Sequence, residues 1–115
     1  MGDTRQSDVS FVYTTFPDRE AAQNVCRPLV EARLAACANI FDGMTAIYEW
    51  QGKLETQREC AVILKTPSAV RDPLVAALKH RHPYDTPALV TLPVSHCDSD
   101  YFGWLCGQTE LPKNA

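Results

Sequence analysis

No apolar stretch in this sequence approaches the roughly 20 residues needed to cross a bilayer, and Met1–Asp8 is polar, without the apolar segment of a secretory signal. The chain is therefore expected in the cytoplasm, with no membrane among its partners. Positive charge is also scarce. A net charge of −3, with no basic stripe interleaved with aromatics, gives a phosphate backbone little to meet, and nucleic acid is disfavoured as a partner. The five cysteines are odd in number and form no C-x-x-C pair, which fits neither a disulfide framework nor a zinc ribbon. They read as free thiols in a reducing compartment, where a buried cysteine behaves as a small hydrophobe.

The parts of an active site are missing in the same way. Five glycines are scattered rather than gathered into a phosphate-cradling loop, and no nucleophile with a plausible base or pair of carboxylates stands out. Ser95-His96-Cys97-Asp98 is contiguous, whereas a triad is assembled in space from separate segments. Neither catalysis nor an organic cofactor is expected.

What is present is an ordinary globular composition: 115 residues, 45% hydrophobic and 22% charged, enough for a single domain with a core. We expect a flexible segment over residues 1–8, one domain over 9–107 and a tail over 108–115. Val9–Thr15 is rich in β-branched and aromatic residues and hands over at Phe16-Pro17-Asp18 to a helix, with Asp18 as cap. Ala22, Val25, Cys26, Leu29 and Val30 repeat at helical spacing as far as Arg33, in phase on both sides of Pro28, so a kinked rather than broken helix is predicted. Leu34–Trp50 reads as extended chain with a bend or bulge at Asp42-Gly43. After the tight-turn signal Gln51-Gly52, a strand over Leu54–Thr66 alternates Cys60, Val62 and Leu64 with Glu59, Ala61, Ile63 and Lys65.

A long hairpin results. Its arms overhang so small a domain, and large aromatics on exposed strand edges favour pairing with another copy. A second helix runs to about Arg81, capped by Ser68 or Asp72 and stopped at His82-Pro83-Tyr84. Leu89–Val94 forms a short or edge strand between prolines, and a terminal helix spans about Ser99–Gly107. The order is βαββαβ plus a helix: an α+β, ferredoxin-like architecture with an extended β-hairpin.

Three stretches carry a family resemblance: Thr14-Thr15-Phe16-Pro17-Asp18, then Leu34-Ala35-Ala36-Cys37-Ala38-Asn39-Ile40, then Tyr48-Glu49-Trp50-Gln51-Gly52-Lys53-Leu54. Together with Ile63-Leu64-Lys65-Thr66 and His82-Pro83-Tyr84, in this order over about Val9–Leu105, they resemble the CutA family of divalent-cation-tolerance proteins. The resemblance implies a subunit similar to the PII signalling proteins, a homotrimer in which long hairpins pair between neighbours, and a link to divalent cations, copper above all. Ala88 departs from it, standing where the family commonly has glutamate, and Pro28 is unusual in the first helix.

The same resemblance associates Cys37, His82 and Glu59 with metal binding, and copper favours thiolate and imidazole. Each also has a plainer reading. Cys37 suits a buried core thiol, His82 a helix-terminal histidine beside the negative end of the dipole, and Glu59 a solvated strand. Glu59 and Lys65 lie six residues apart, about 20 Å at strand spacing, so they cannot meet within one subunit. Lys65 and Tyr84 are expected to line an intersubunit cleft, and Tyr48 and Trp50, alternating onto one face near the hairpin tip, to anchor contacts between copies. The rival to a metal-responsive trimer is a PII-like signalling or scaffold module that binds a small molecule or a partner protein in those clefts.

Overall fold

The computed structural model describes residues 8–111. The first strand, β1 (Val9–Phe16), alternates inward Val12, Thr14 and Phe16 with less buried Phe11, Tyr13 and Thr15. It ends at Pro17, and the Asp18 carboxylate accepts from the Ala21 amide at 2.8 Å, capping α1 (Arg19–Glu31) as the sequence predicts. Ala22, Val25, Cys26 and Leu29 form its buried stripe. Pro28 sits one turn from the end, and the helix runs through it. The amide that proline lacks would have bonded to the carbonyl of Asn24, an exposed residue whose carbonyl water can reach.

Helix α1 closes on a left-handed residue, Arg33, at φ 64°. The Arg33 amide donates to Val30 and the Leu34 amide to Leu29, the paired bonds of a Schellman cap in which glycine is the usual occupant. Arginine has a second task here. Its guanidinium donates to the Gly107 carbonyl at 2.6 Å and pairs with Glu110 at 3.4 Å, clasping the C-terminal end of the fold.

The hairpin follows as β2 (Cys37–Trp50) and β3 (Lys53–Pro67), with β2 starting three residues later than the pattern suggests. The register shifts between Phe41 and Met44, so the bulge expected at Asp42-Gly43 is present, with Gly43 at φ 79°. Gln51 and Gly52, at φ 51° and 80°, make the two-residue turn with both central residues left-handed that matches strand twist.

The entry to the second helix differs from expectation. A 3₁₀ turn (Ser68–Val70) leads directly into α2 (Arg71–Arg81), and neither Ser68 nor Asp72 caps it. The Ser68 hydroxyl bonds that of Ser10 at 2.8 Å, and the Asp72 carboxylate pairs with Arg71 at 2.9 Å. Pro73 falls at the third helical position, still among the amides that lack a helical partner. Strand β4 is shorter than predicted, Val90–Pro93, and α3 (Ser99–Gln108) completes the chain. Gln108 therefore belongs to α3; of the two expected tails, residues 1–7 and 112–115 lie outside the described residues.

All neighbouring strands are antiparallel in the order β2-β3-β1-β4, the ferredoxin-like arrangement, which leaves β2 and β4 at the edges. The main core lies between the sheet and α1 and α2, built on Val12, Phe16, Leu29, Val62, Leu64, Leu74 and Leu78. Phe11, of opposite parity to Val12, packs with Val9, Ala36, Phe102 and Leu105, so α3 covers part of the other face. Pairing with β1 begins at Cys60 of β3, and from Glu59 to Lys53 the hairpin is two-stranded, an arm of about 20 Å. The longest dimension, 50 Å against 31 and 22 Å, follows from it.

Candidate functional site

Where the arm leaves the sheet, a cleft of about 710 Å³ opens between three segments. Tyr48, Trp50, Gln57, Arg58 and Glu59 of the hairpin form one wall. Thr15 and Pro17, at the end of β1, form the floor, and Pro83–Thr86 with Ala88 form the opposite wall. Gly43 of the bulge leaves room for Arg58: a Cβ there would stand 3.3 Å from a guanidinium nitrogen.

The Pro83 wall is set by His82, the residue on which α2 ends. Pro83 forces His82 out of helical geometry, to ψ 137°, and turns its side chain onto β1. The imidazole is 9% exposed and stacks on the buried Phe16 ring, with centroids 4.4 Å apart and planes 10° from parallel. The Tyr84 amide donates to His82 Nδ1 at 3.2 Å, so Nδ1 carries the lone pair and Nε2 the proton. Nε2 in turn meets Thr14 Oγ1 at 3.0 Å and donates to it. Burial holds the imidazole below its ordinary pKa, with the Thr15 carbonyl acting in the opposite direction.

Tyr84 completes the wall. Its ring lies 5.1 Å from the His82 ring, and its phenol is pushed up to about 12, by burial first and then by the Glu59 carboxylate, Tyr48, the hydrogen bond to Glu59 and Asp18. At neutral pH the phenol is thus protonated, with the Glu59 carboxylate acting on it. The cleft presents a fixed phenol, the carboxylates of Glu59 and Asp85, the guanidinium of Arg58, and apolar walls of Trp50, Tyr48, Pro17 and Pro83. Apolar walls with a few converging polar groups suit a small polar molecule with a flat apolar part.

Of the residues singled out in the sequence, Glu59, Tyr84, Tyr48 and Trp50 meet in this cleft. Cys37 and Lys65 do not. They are cross-strand partners at the far end of the hairpin, and Glu59 lies six residues along β3 from Lys65, which separates Cys37 from Glu59 by about 20 Å within one copy. Lys65 is held by aromatic faces, its Nζ 5.3 Å from the Phe11 ring and 5.8 Å from that of Tyr101 in α3. Cys37 borders a separate hollow between α1 and β2, with Gln23, Cys26 and Glu31.

Both ring nitrogens of His82 are engaged, Nε2 as donor and Nδ1 as acceptor, so its one lone pair is taken up by the Tyr84 amide in this geometry. Among the described residues no three His, Cys, Asp or Glu side chains stand close enough together to hold a metal ion. Cys26 is pushed up to about 12 by burial, with Cys60 adding to the effect, so its thiol is inert. Asp98 spends its carboxylate on the amides of Asp100 and Tyr101, capping α3, and His96 beside it is exposed.

Gln57, Arg58, Asp85 and Thr86 are the cleft residues that sequence reasoning missed. Asp85-Thr86 sits between Pro83 and Pro87, a doubly fixed loop, which was the available signal.

Comparison with known proteins places these observations. The family model described as CutA1 divalent ion tolerance protein matches residues 10–108. The divalent-cation tolerance protein CutA of Pectobacterium atrosepticum is 43% identical over 105 residues, covering 91% of this chain and 96% of that protein. The one from Salmonella newport is 42% identical over 110 residues, with the same coverage. Among solved structures, CutA1 from Ehrlichia chaffeensis superposes with a TM-score of 0.87 at 35% identity, covering 91% of this chain and 98% of that one. CutA1 from Pyrococcus horikoshii gives 0.84 at 40% identity, covering 88% and 98%.

Proposed function

The chain belongs to the CutA1 divalent ion tolerance family, and from that premise we propose that it serves tolerance to divalent cations, copper foremost, as a cytosolic homotrimer that catalyses no reaction. The observation that carries this reading is the arm. Ile47 is 66% exposed, Trp50 61% and Leu54 77%, on a two-stranded ribbon with an open edge. A ribbon of this kind is marginal alone in water, and hairpins from further copies of the same chain would give it both strand pairing and apolar cover.

A cation held by such an assembly would draw its ligands from more than one copy. Cys37 and Glu59 are too far apart within one copy to share an ion, and His82 is committed to Thr14 and Tyr84. The half-exposed Cys37 thiol is the ligand best suited to copper. All five cysteines are free, in keeping with a reducing compartment.

The test is titration of the reduced, metal-free protein with Cu(I) and Cu(II) against competing chelators, with native mass spectrometry recording the oligomer. Tight binding in fixed proportion to subunits, lost in Cys37→Ser or Glu59→Gln, is the expected result. Weak binding that neither substitution changes overturns the metal reading. A second reading, a PII-like signalling or scaffold module, is favoured by the cleft itself, whose apolar walls surround Arg58, Glu59, Tyr84 and Asp85.

A further inference from the structure

Three residues at the end of α2 do more than stop a helix. The His82 amide still bonds to the Lys79 carbonyl of the last turn, at 3.4 Å, while its ring is seated on β1 between Phe16 and Thr14. One residue later the chain becomes the cleft wall, and the first wall residue with an amide proton, Tyr84, gives that proton to His82. The imidazole therefore ties the wall to the sheet.

We propose that His82 is an acid-released latch on the cleft: neutral, it holds the Pro83–Thr86 wall and the Tyr84 ring against β1, and protonated, it lets them go. The inference rests on the reading of the cleft as the working site. The chemistry follows from the hydrogen-bond pattern. Nδ1 accepts from the Tyr84 amide, so a proton added to the ring must go on Nδ1, and it then faces an N–H donor that cannot accept it. The bond becomes a repulsion between two donors, while Thr14 Oγ1 is already used by Nε2 and the Thr15 carbonyl offsets only part of the cost of burial.

The surroundings offer the charged ring little. From β1 it meets Thr14, the Thr15 carbonyl and Phe16, none of them charged. From the loop it meets Tyr84, whose phenol is protonated, with Glu59 and Asp18 acting on it. From α2 the neighbours in sequence are Lys79, His80 and Arg81, all exposed cations or potential cations, which add no attraction for a further positive charge. The sign is then fixed. The latched state binds the proton more weakly than the released one, so the latch is complete above the ordinary imidazole value of 6.5 and weakens as pH falls below it.

Release would move the Tyr84 ring and the Pro83–Thr86 wall relative to the hairpin side of the cleft, so acid would reshape the cleft without touching the core beneath it. Hydrogen exchange of the Tyr84 amide, read by NMR in the whole protein and corrected for intrinsic chemistry, reports the latch directly and needs no ligand. Its protection is expected to fall by about tenfold or more between about pH 7.5 and about pH 5.5, while core amides of β3 keep theirs. In His82→Asn the side-chain amide oxygen stands where Nδ1 stood and accepts from Tyr84 without titrating, so protection is expected to stay level with pH.

Flat protection in the natural protein, or an equally steep fall in H82N, overturns the latch. Should H82N not fold, the ring nitrogens of the natural protein decide: an unprotonated Nδ1 at neutral pH that takes up its proton only below the ordinary imidazole value of 6.5 supports the latch, and a protonated Nδ1 overturns it. A cleft that takes no ligand at any pH would remove the reading of the site while leaving this result standing.

Discussion

The two halves of β3 share one alternation and live in opposite surroundings. From Cys60 to Pro67 the strand lies between β1 and β2 under two helices, and Cys60, Val62 and Leu64 are fully buried. From Lys53 to Glu59 it has only β2 beside it, and Leu54 is 77% exposed. The difference is a matter of neighbours rather than of local sequence preference. Alternation sets which side chains share a face, but a face becomes a core only where another layer covers it. In one half that layer is supplied by the sheet's own helices, and in the other the described residues supply none.

The sharpest way to break this contrast is to cut the same side chain from each half. Leu64→Ala is expected to cost about 2–5 kcal/mol of stability in denaturant unfolding, through lost burial and the cavity left behind. Leu54→Ala, measured on dissociated protein, should stay within about 0.5 kcal/mol. Equal losses in the dissociated protein would mean that the arm is packed by contacts other than those described. A smaller effect probes who covers the arm. Ile47→Asp or Trp50→Ala should weaken self-association by about 2 kcal/mol or more, near thirtyfold, in sedimentation velocity, with the unfolding of the dissociated chain little changed. Association that survives both substitutions would sink the arm as the contact between copies. The smallest effect lies at the tip. Gln51 holds φ 51° where glycine fits without penalty, so Gln51→Gly should raise stability by roughly 0.5–1 kcal/mol by thermal melting if the turn is rigid, and by nothing if it frays.

The buried half was the more legible in the sequence. The strand–helix handover at Pro17-Asp18, the stripe through Pro28 and the inward set Cys60, Val62 and Leu64 all rest on short-range patterns, as do the Asp42-Gly43 bulge and the Gln51-Gly52 turn, where glycine marks left-handed backbone. The caps at Ser68 and Asp72 misled because a 3₁₀ turn delivers the chain into α2 already wound, which leaves a side-chain cap nothing to do. At the site, alternation could put Tyr48 and Trp50 on one face near the hairpin tip and the rigid turn at Pro83 could single out Tyr84, while Glu59 was nominated through the family resemblance. None of these could place His82. The imidazole's bond to the Tyr84 amide is local, but the one to Thr14 spans 68 residues of sequence, so a candidate ligand and a buried, neutral strut look alike until the chain closes. Lys65 is the same case, held by Phe11 and by Tyr101 of a helix that comes much later in the chain.

The bulge at Asp42-Gly43 also gives the arm one residue of slack. Below it Phe41 sits opposite Ala61, and above it Met44 sits opposite Glu59, so β2 spends one residue more than β3 on the same length of ladder. Tyr48 and Trp50 share Glu59's side of the arm because that extra residue moves the matching set of β2 from odd positions to even ones. Loss of Asp42 or Gly43 alone would let the two strands count evenly between the sheet and the tip, with every other side chain kept on its own face. Loss of a single residue nearer the tip would also straighten the ladder, but Met44 and whatever stood between it and the gap would turn to the opposite face. Where a one-residue deletion fell in this stretch of gene would therefore matter more to the cleft than the fact that it occurred.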